Sequence, residues 1–208
     1  MSYYPIFLNL SGQRCVVIGG GVVAERKIAG LLDAAASVTV VSPTLTADLA
    51  RIAKEKKIRH FMRDYRRGDL SGYRLAFVAT DDRQVNRAVY EEAQEAEVFV
   101  NAADDPAHCD FFLPSVLRRG ELQVAVATGG ASPALSRAIR EELEQYFTED
   151  YSILSEIVAE LRRELREKTV SPDAEAWRRA LNADLMRLVR EGDVEGAKVY
   201  LRQRVGLG

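Results

Sequence analysis

The chain has 208 residues, a formal net charge of −2, 47% hydrophobic and 29% charged residues: room for one medium domain with an appendage and a real core, and no global pull on nucleic acid. No apolar run nears the ~18 residues of a membrane span, and the first residues lack a signal-peptide pattern. Two cysteines, Cys15 and Cys109, are too few for a disulfide framework, so a cytoplasmic protein without membrane or nucleic-acid partners is expected.

An apolar leader over 3–8 and a polar turn over 11–14 precede the first strand, expected over 14–19 and continuously apolar, as a strand buried on both faces should be. It runs into Gly19-Gly20-Gly21 and a helix over 22–32. Strand, glycines and helix in that order fit the dinucleotide fingerprint G-x-G-x-x-A. Gly19 allows the tight turn, Gly21 lets backbone approach a pyrophosphate, and Ala24 permits close helix–strand packing. Backbone N–H groups at the helix start, with its dipole, would hold the phosphates. A second strand over 37–42 completes a βαβ unit.

A helix over 45–57 and a short strand over 58–62 follow. A buried strand over 75–80, a helix over 83–95 and a strand over 98–101 come next. Strands alternating with helices predict a Rossmann-type, doubly wound parallel sheet in an α/β fold. The pattern then changes. Apolar runs over 111–117 and 123–128 around Arg118-Arg119-Gly120-Glu121 predict an antiparallel hairpin. Ser132 as N-cap and Pro133 at the first helical position open a helix to Phe147, and helices are expected over 153–167, 174–190 and 194–203. The plan is a dinucleotide-binding Rossmann domain over 1–112, a hairpin-plus-helix connector over 113–147 and an α-helical domain over 148–208.

Ligands bind beyond the carboxyl ends of such strands. The candidate ends are Gly19–Val23, Ser42-Pro43 (with Thr44 following), Thr80-Asp81 and Asn101–Asp105. An acidic ribose ligand is absent after the second strand, where Ser42 and backbone groups could serve instead. No arginine follows to hold a 2′-phosphate, which favours NAD over NADP. The segment from Asn101 to Asp110 is the densest in reactive side chains. A partly buried member of the pair Asp104 and Asp105 would suit proton removal, although loop aspartates also simply cap backbone groups. His108, Cys109 and Asp110 are poorly spaced for a metal, and no resident metal is expected. Arg118, Arg119, Arg137 and Arg140 could receive a polyanion or form a solvated face. Trp177, Leu181, Leu185 and Leu188 lie at helical spacing as expected core.

Together these residues resemble one family, the siroheme-synthase amino-terminal module (precorrin-2 dehydrogenase, often combined with sirohydrochlorin ferrochelatase). The likeness runs from Tyr4-Pro5-Ile6-Phe7-Leu8 through Gly19-Gly20-Gly21-Val22-Val23-Ala24-Glu25-Arg26-Lys27 and Thr80-Asp81-Asp82. It continues in Asn101 to Asp104, Phe112-Leu113-Pro114-Ser115 and Thr128-Gly129-Gly130-Ala131-Ser132-Pro133. The resemblance implies NAD-dependent oxidation of precorrin-2, a carboxylate-rich tetrapyrrole, to sirohydrochlorin, with Fe2+ insertion to siroheme in some members. It implies a homodimer with interlocking connector regions. It implies cofactor contacts at Gly21, Val22, Val23, Pro43 and Thr44 and a proton-accepting role for Asp104. Ser115, Thr128, Gly129, Gly130, Ser132 and Arg137 are the expected substrate-side residues. Three other readings share parts of this pattern. A short-chain alcohol dehydrogenase is disfavoured because no Tyr-x-x-x-Lys occurs. An NAD-binding, ligand-sensing regulatory module would need no catalytic carboxylate, and a cobalt or nickel chelatase would need Asp104 without NAD.

Overall fold

The computed structural model describes residues 3–103 and 105–207. They fall into two compact units, Tyr3–Leu113 and the residues from Pro114 onward.

The first unit is a parallel sheet of β1 (Arg14–Ile18), β2 (Ser37–Val41), β3 (Arg59–Phe61), β4 (Leu75–Val78) and β5 (Phe99–Ala102), in the order β3-β2-β1-β4-β5. Helices α1 (Val22–Asp33), α2 (Ala47–Lys54) and α3 (Arg83–Glu95) connect β1 to β2, β2 to β3 and β4 to β5. The Rossmann-type expectation holds. Strand pleating splits the core into two layers. Cys15, Val17, Val38, Val40 and Phe77 pack with Ala24, Ile28 and Leu31 of α1 and Leu49 of α2. Val16, Ile18, Val78 and Val100 pack on the other face with Val89 and Ala93 of α3. Cys15 belongs to this packing: it is fully buried, and burial pushes its thiol up to about 11. The leader stays largely outside, with Tyr4 87% and Phe7 70% exposed.

The return from β3 to β4 has no helix, and a buried carboxylate organises it. Glu92 of α3 is 6% exposed. It accepts the backbone N–H of Gly68 at 3.0 Å and of Leu70 at 2.9 Å, together with the Tyr65 hydroxyl. Desolvation, then this contact, pushes the Tyr65 phenol up. The Arg63 guanidinium forks onto Asp69 in the same segment, at 2.7 and 2.6 Å.

In the second unit, β6 (Ser115–Arg119) and β7 (Leu122–Val126) form the expected hairpin. Its turn is tighter than the sequence suggests. Arg119 pairs with Leu122, so Gly120-Glu121 alone closes it and Arg118 and Arg119 are strand residues. Residues 111–114 lie outside β6. Helix α4 (Pro133–Tyr146) packs on the hairpin and opens as predicted, with the Ser132 side chain accepting the Leu135 N–H. The remaining helices are α5 (Asp150–Glu167), α6 (Ala174–Ala180), α7 (Ala183–Arg190) and α8 (Val194–Arg204). Ile157, Leu161 and Leu165, one stripe of α5, pack with Leu185, Val189, Ala197 and Leu201.

The single helix expected over 174–190 is two. Asn182 is an N-cap, its side chain accepting the N–H groups of Asp184 and Leu185. The break throws Leu181 outward, 46% exposed, whereas Leu185 is core and Trp177 and Leu188 pack at its margin.

Replacing Glu92 by glutamine leaves the amide –NH2 facing a backbone or phenolic donor. The variant should unfold at lower urea concentration, losing about 1–3 kcal/mol, as measured by far-UV circular dichroism.

Candidate functional site

The chain winds outward from β1 to β3, then returns to start β4 on the other side of β1. The β1/β4 boundary is therefore the topological switch point, where doubly wound sheets hold ligands. The glycine turn sits there. Gly19 has φ +115°, its N–H donates to the Val41 carbonyl at 2.9 Å, and a Cβ at Gly19 would lie 2.2 Å from the Ala79 carbonyl oxygen. At Gly20 a Cβ would lie 2.1 Å from the Thr44 carbonyl, and the Gly20 carbonyl accepts the Thr46 N–H at 3.0 Å. The turn is wedged between the ends of β2 and β4 with no room for side chains.

Gly21 differs. It is the N-cap of α1 with ordinary φ −89°, no side chain caps the helix, and a Cβ there would meet nothing within 4 Å. Helices α2, α3 and α4 are closed by Thr46, Asp82 and Ser132 side chains. The first turn of α1 thus presents uncapped N–H groups and the positive end of its dipole to open space, with Val22 65% exposed beside it. This cradle fits a pyrophosphate.

Other residues expected on the cofactor side lie at neighbouring strand ends. Ser42 is 5% exposed and its hydroxyl donates to the Thr44 carbonyl at 2.7 Å, so toward a further group it can only accept. The His60 ring nitrogen Nε2 lies 2.9 Å from the Ser42 carbonyl, giving that strand residue a structural task. Pro43 and Thr44 are exposed, and Val23 is half-buried. Thr80 takes the Asp82 N–H on its hydroxyl at 2.9 Å and the Asn86 amide on its carbonyl at 3.1 Å; Asp81 is exposed beside it.

Beyond β5 the chain makes a closed loop. Asn101 is 6% exposed and donates to the Phe111 carbonyl at 2.9 Å. The Asp110 backbone N–H donates to the Val100 carbonyl and the Asp110 carboxylate accepts the Val100 N–H, both at 2.9 Å. The Cys109 sulfur lies 3.2 Å from both the N–H and the carbonyl of Ala102, and burial pushes its thiol up. Asp105 holds His108 at 2.6 Å, with the His108 ring edge-on to Tyr90. Asp104 lies outside the described residues. Among the described residues, no three His, Cys, Asp or Glu side chains converge on a metal.

The expected substrate-side residues all belong to the second unit. Ser115 opens β6 opposite Val126. Thr128 closes the loop through Gly129 and Gly130: its hydroxyl accepts the Ser132 N–H at 3.0 Å and lies 3.2 Å from the buried Ser136 hydroxyl. The structure thus gathers Thr128 and Ser132 with Ser136, a residue the sequence did not single out; Arg137 is exposed on α4. Lys27 was also missed as a site residue, although it ends the glycine motif: its ammonium donates to the Asn101 side-chain oxygen at 3.2 Å.

Substitution should separate the two kinds of glycine. Gly19→Ala forces backbone apart and should cost about 2 kcal/mol or more of stability. Gly21→Ala should keep the wild-type melting temperature yet bind a dinucleotide at least about tenfold more weakly by calorimetry, since its methyl group enters the cradle.

Comparison with known proteins agrees with this geometry. A family model described as "Putative NAD(P)-binding" matches residues 6–115, and one described as "Sirohaem biosynthesis protein central" matches residues 119–146. The siroheme synthase of Chromobacterium violaceum is 38% identical over 100% of this chain and 45% of its own length. That of Methylococcus capsulatus is 38% identical over 97% of this chain and 43% of its own. The chain spans less than half the length of these relatives. A solved structure named "SirC, precorrin-2 dehydrogenase" superposes with a TM-score of 0.80 at 28% identity, covering 97% of this chain and 98% of that one. The chain belongs to this NAD(P)-binding family of siroheme biosynthesis, the siroheme-synthase amino-terminal module.

Proposed function

We propose that the chain is an NAD-dependent precorrin-2 dehydrogenase, forming sirohydrochlorin. The observation that carries this reading is the uncapped start of α1, held at the β1/β4 switch point by a turn that tolerates no side chains. It is supported by the likeness to SirC over nearly the full length of both chains. When bound, NAD+ supplies a two-electron acceptor.

In this reading Gly19, Gly21, Val22 and Val23 hold the pyrophosphate through backbone groups. Ser42, Pro43 and Thr44 border the adenosine ribose, where the lack of a nearby arginine favours NAD over NADP. Thr80, Asp81 and Asn101 line the remaining cofactor side. The oxidation balances as precorrin-2 losing one hydride, which reduces NAD+ to NADH, and one proton, which a base receives. The family likeness gives that base as Asp104. Ser115, Thr128, Gly129, Gly130, Ser132 and Arg137 form the substrate side, their hydroxyl, backbone and guanidinium donors suited to tetrapyrrole carboxylates. A homodimer formed through residues 113–147, a helical domain over 148–208, a cytoplasmic location and Fe2+ insertion as a second activity complete the proposal. No helix among the described residues is long and apolar enough to cross a membrane.

Anaerobic incubation with precorrin-2 and NAD+ should generate NADH absorbance together with the sirohydrochlorin spectrum. Cofactor binding with neither spectral change would overturn the dehydrogenase and leave the sensing module. Fe2+ added afterwards tests the chelatase through an enzyme-dependent shift to siroheme. Asp104→Asn should lower turnover about 10²–10⁴-fold with NAD+ affinity retained, the usual loss for a general base; unchanged turnover removes that assignment.

A further inference from the structure

Lys27 has no task in the reading above, yet it is a half-buried cation set into a ring of contacts joining the cofactor helix to the loop after β5. Its ammonium lies 5.5 Å from the centre of the Phe77 ring and 3.2 Å from the Asn101 oxygen. Phe77 meets Phe111 edge-on at 5.5 Å between centroids, and the Phe111 carbonyl accepts the Asn101 –NH2 at 2.9 Å. Every member of the ring constrains the next. A cation at the Asn101 oxygen fixes which end of that amide faces Phe111, because the reversed amide would point –NH2 at –NH3+. Asn101 lies on β5 just before the 103–108 segment, and Phe111 just beyond its return. The amide therefore sets where the base of that segment lies relative to α1.

We infer that Lys27 is a positioning residue of the dehydrogenase: through Asn101 it locks the loop after β5 onto the cofactor helix and supplies that loop with a compensating positive charge. The inference rests on the dehydrogenase reading. The loop needs such a charge because it concentrates acidity. Asp105 pairs with His108, Asp110 accepts the Val100 N–H and a Gln94 amide, and the Cys109 thiol lies between them. Burial raises the Cys109 pKa and Asp105 and Asp110 add to that, while Lys27 acts in the opposite sense, so its field reaches into the loop. A proton acceptor carried there stays ionised to lower pH with Lys27 than without it.

The test compares the wild type with Lys27→Met, which removes charge and donor, and Lys27→Arg, which keeps both. In Lys27→Met, kcat for NADH formation should fall at least about tenfold, the loss expected when a positioned group loses its support. NAD+ affinity should stay within about threefold, because Lys27 lies beyond the first turn of α1. The acid limb of the pH–rate profile should move upward by about half a unit or more, since loss of a nearby cation raises a carboxylate pKa. Lys27→Arg should recover the wild-type limb. Without substrate, amide exchange at Ala102 and Asp110 should accelerate at least about fivefold in Lys27→Met and not in Lys27→Arg. If Lys27→Met does not fold, Lys27→Gln, which keeps a donor without the charge, takes its place. An active wild type with unchanged kcat, pH limb and exchange in the uncharged variant overturns the inference. An inactive wild type with NAD+ bound overturns the dehydrogenase reading instead, and the exchange data still decide whether Lys27 holds the loop.

Discussion

The first unit depends on a steric constraint: the turn after β1 passes so close to the ends of β2 and β4 that neither Gly19 nor Gly20 can carry a Cβ. This closeness makes α1 start between the two halves of the sheet rather than above one of them. It also lets the backbone of the turn bond to its neighbours, Gly19 to Val41 and Gly20 to Thr46, so the chain itself forms the cradle. Gly21 is where the constraint ends. Its open surroundings and the uncapped helix start behind it are the complement of the crowding at Gly19 and Gly20. A helix start left without a side-chain cap forgoes about 1 kcal/mol of local stability, and a phosphate group supplies the missing acceptor.

The same end of the sheet holds a second ordered feature of opposite character. The glycine turn presents donors, whereas the loop after β5 presents acceptors and acids tied down by Asn101, Cys109 and Asp110. An oxidation that sends a hydride one way and a proton another needs both, an electron acceptor held by donors and a base held near it. The residues on either side of the 103–108 segment are tied both by side chains and by backbone pairing, with Asn101 bridged to Cys109 and the Asp110 N–H on the Val100 carbonyl at 2.9 Å.

Most of the first unit was legible in the sequence because its signals are local and redundant. Two strands, β1 and β4, are apolar on both faces, the glycines follow the first of them, and helical spacing resumes after the strand ends. What was not legible depends on three-dimensional neighbours. Glu92 sits in a run of polar helical residues and looks like a solvated face; only the fold brings the N–H groups of Gly68 and Leu70 to it. Lys27 reads as one more surface lysine until Asn101 arrives from a strand 74 residues later. The break between α6 and α7 hides inside helical periodicity, and its sole local signal is Asn182. Among the expected substrate-side residues, Thr128 and Ser132 are joined by Ser136 through the helix turn, a closeness that spacing alone suggests but does not assign.

The central claim is that the uncapped start of α1 and the strand ends beside it hold the cofactor. Hydrogen–deuterium exchange of the full chain with and without saturating NAD+, resolved to short peptides, tests it most directly. Protection confined to residues 19–24, 42–46, 79–82 and 101–103, with the 114–207 unit unchanged, is the predicted result. Binding of NAD+ that leaves residues 19–24 unprotected would contradict the account.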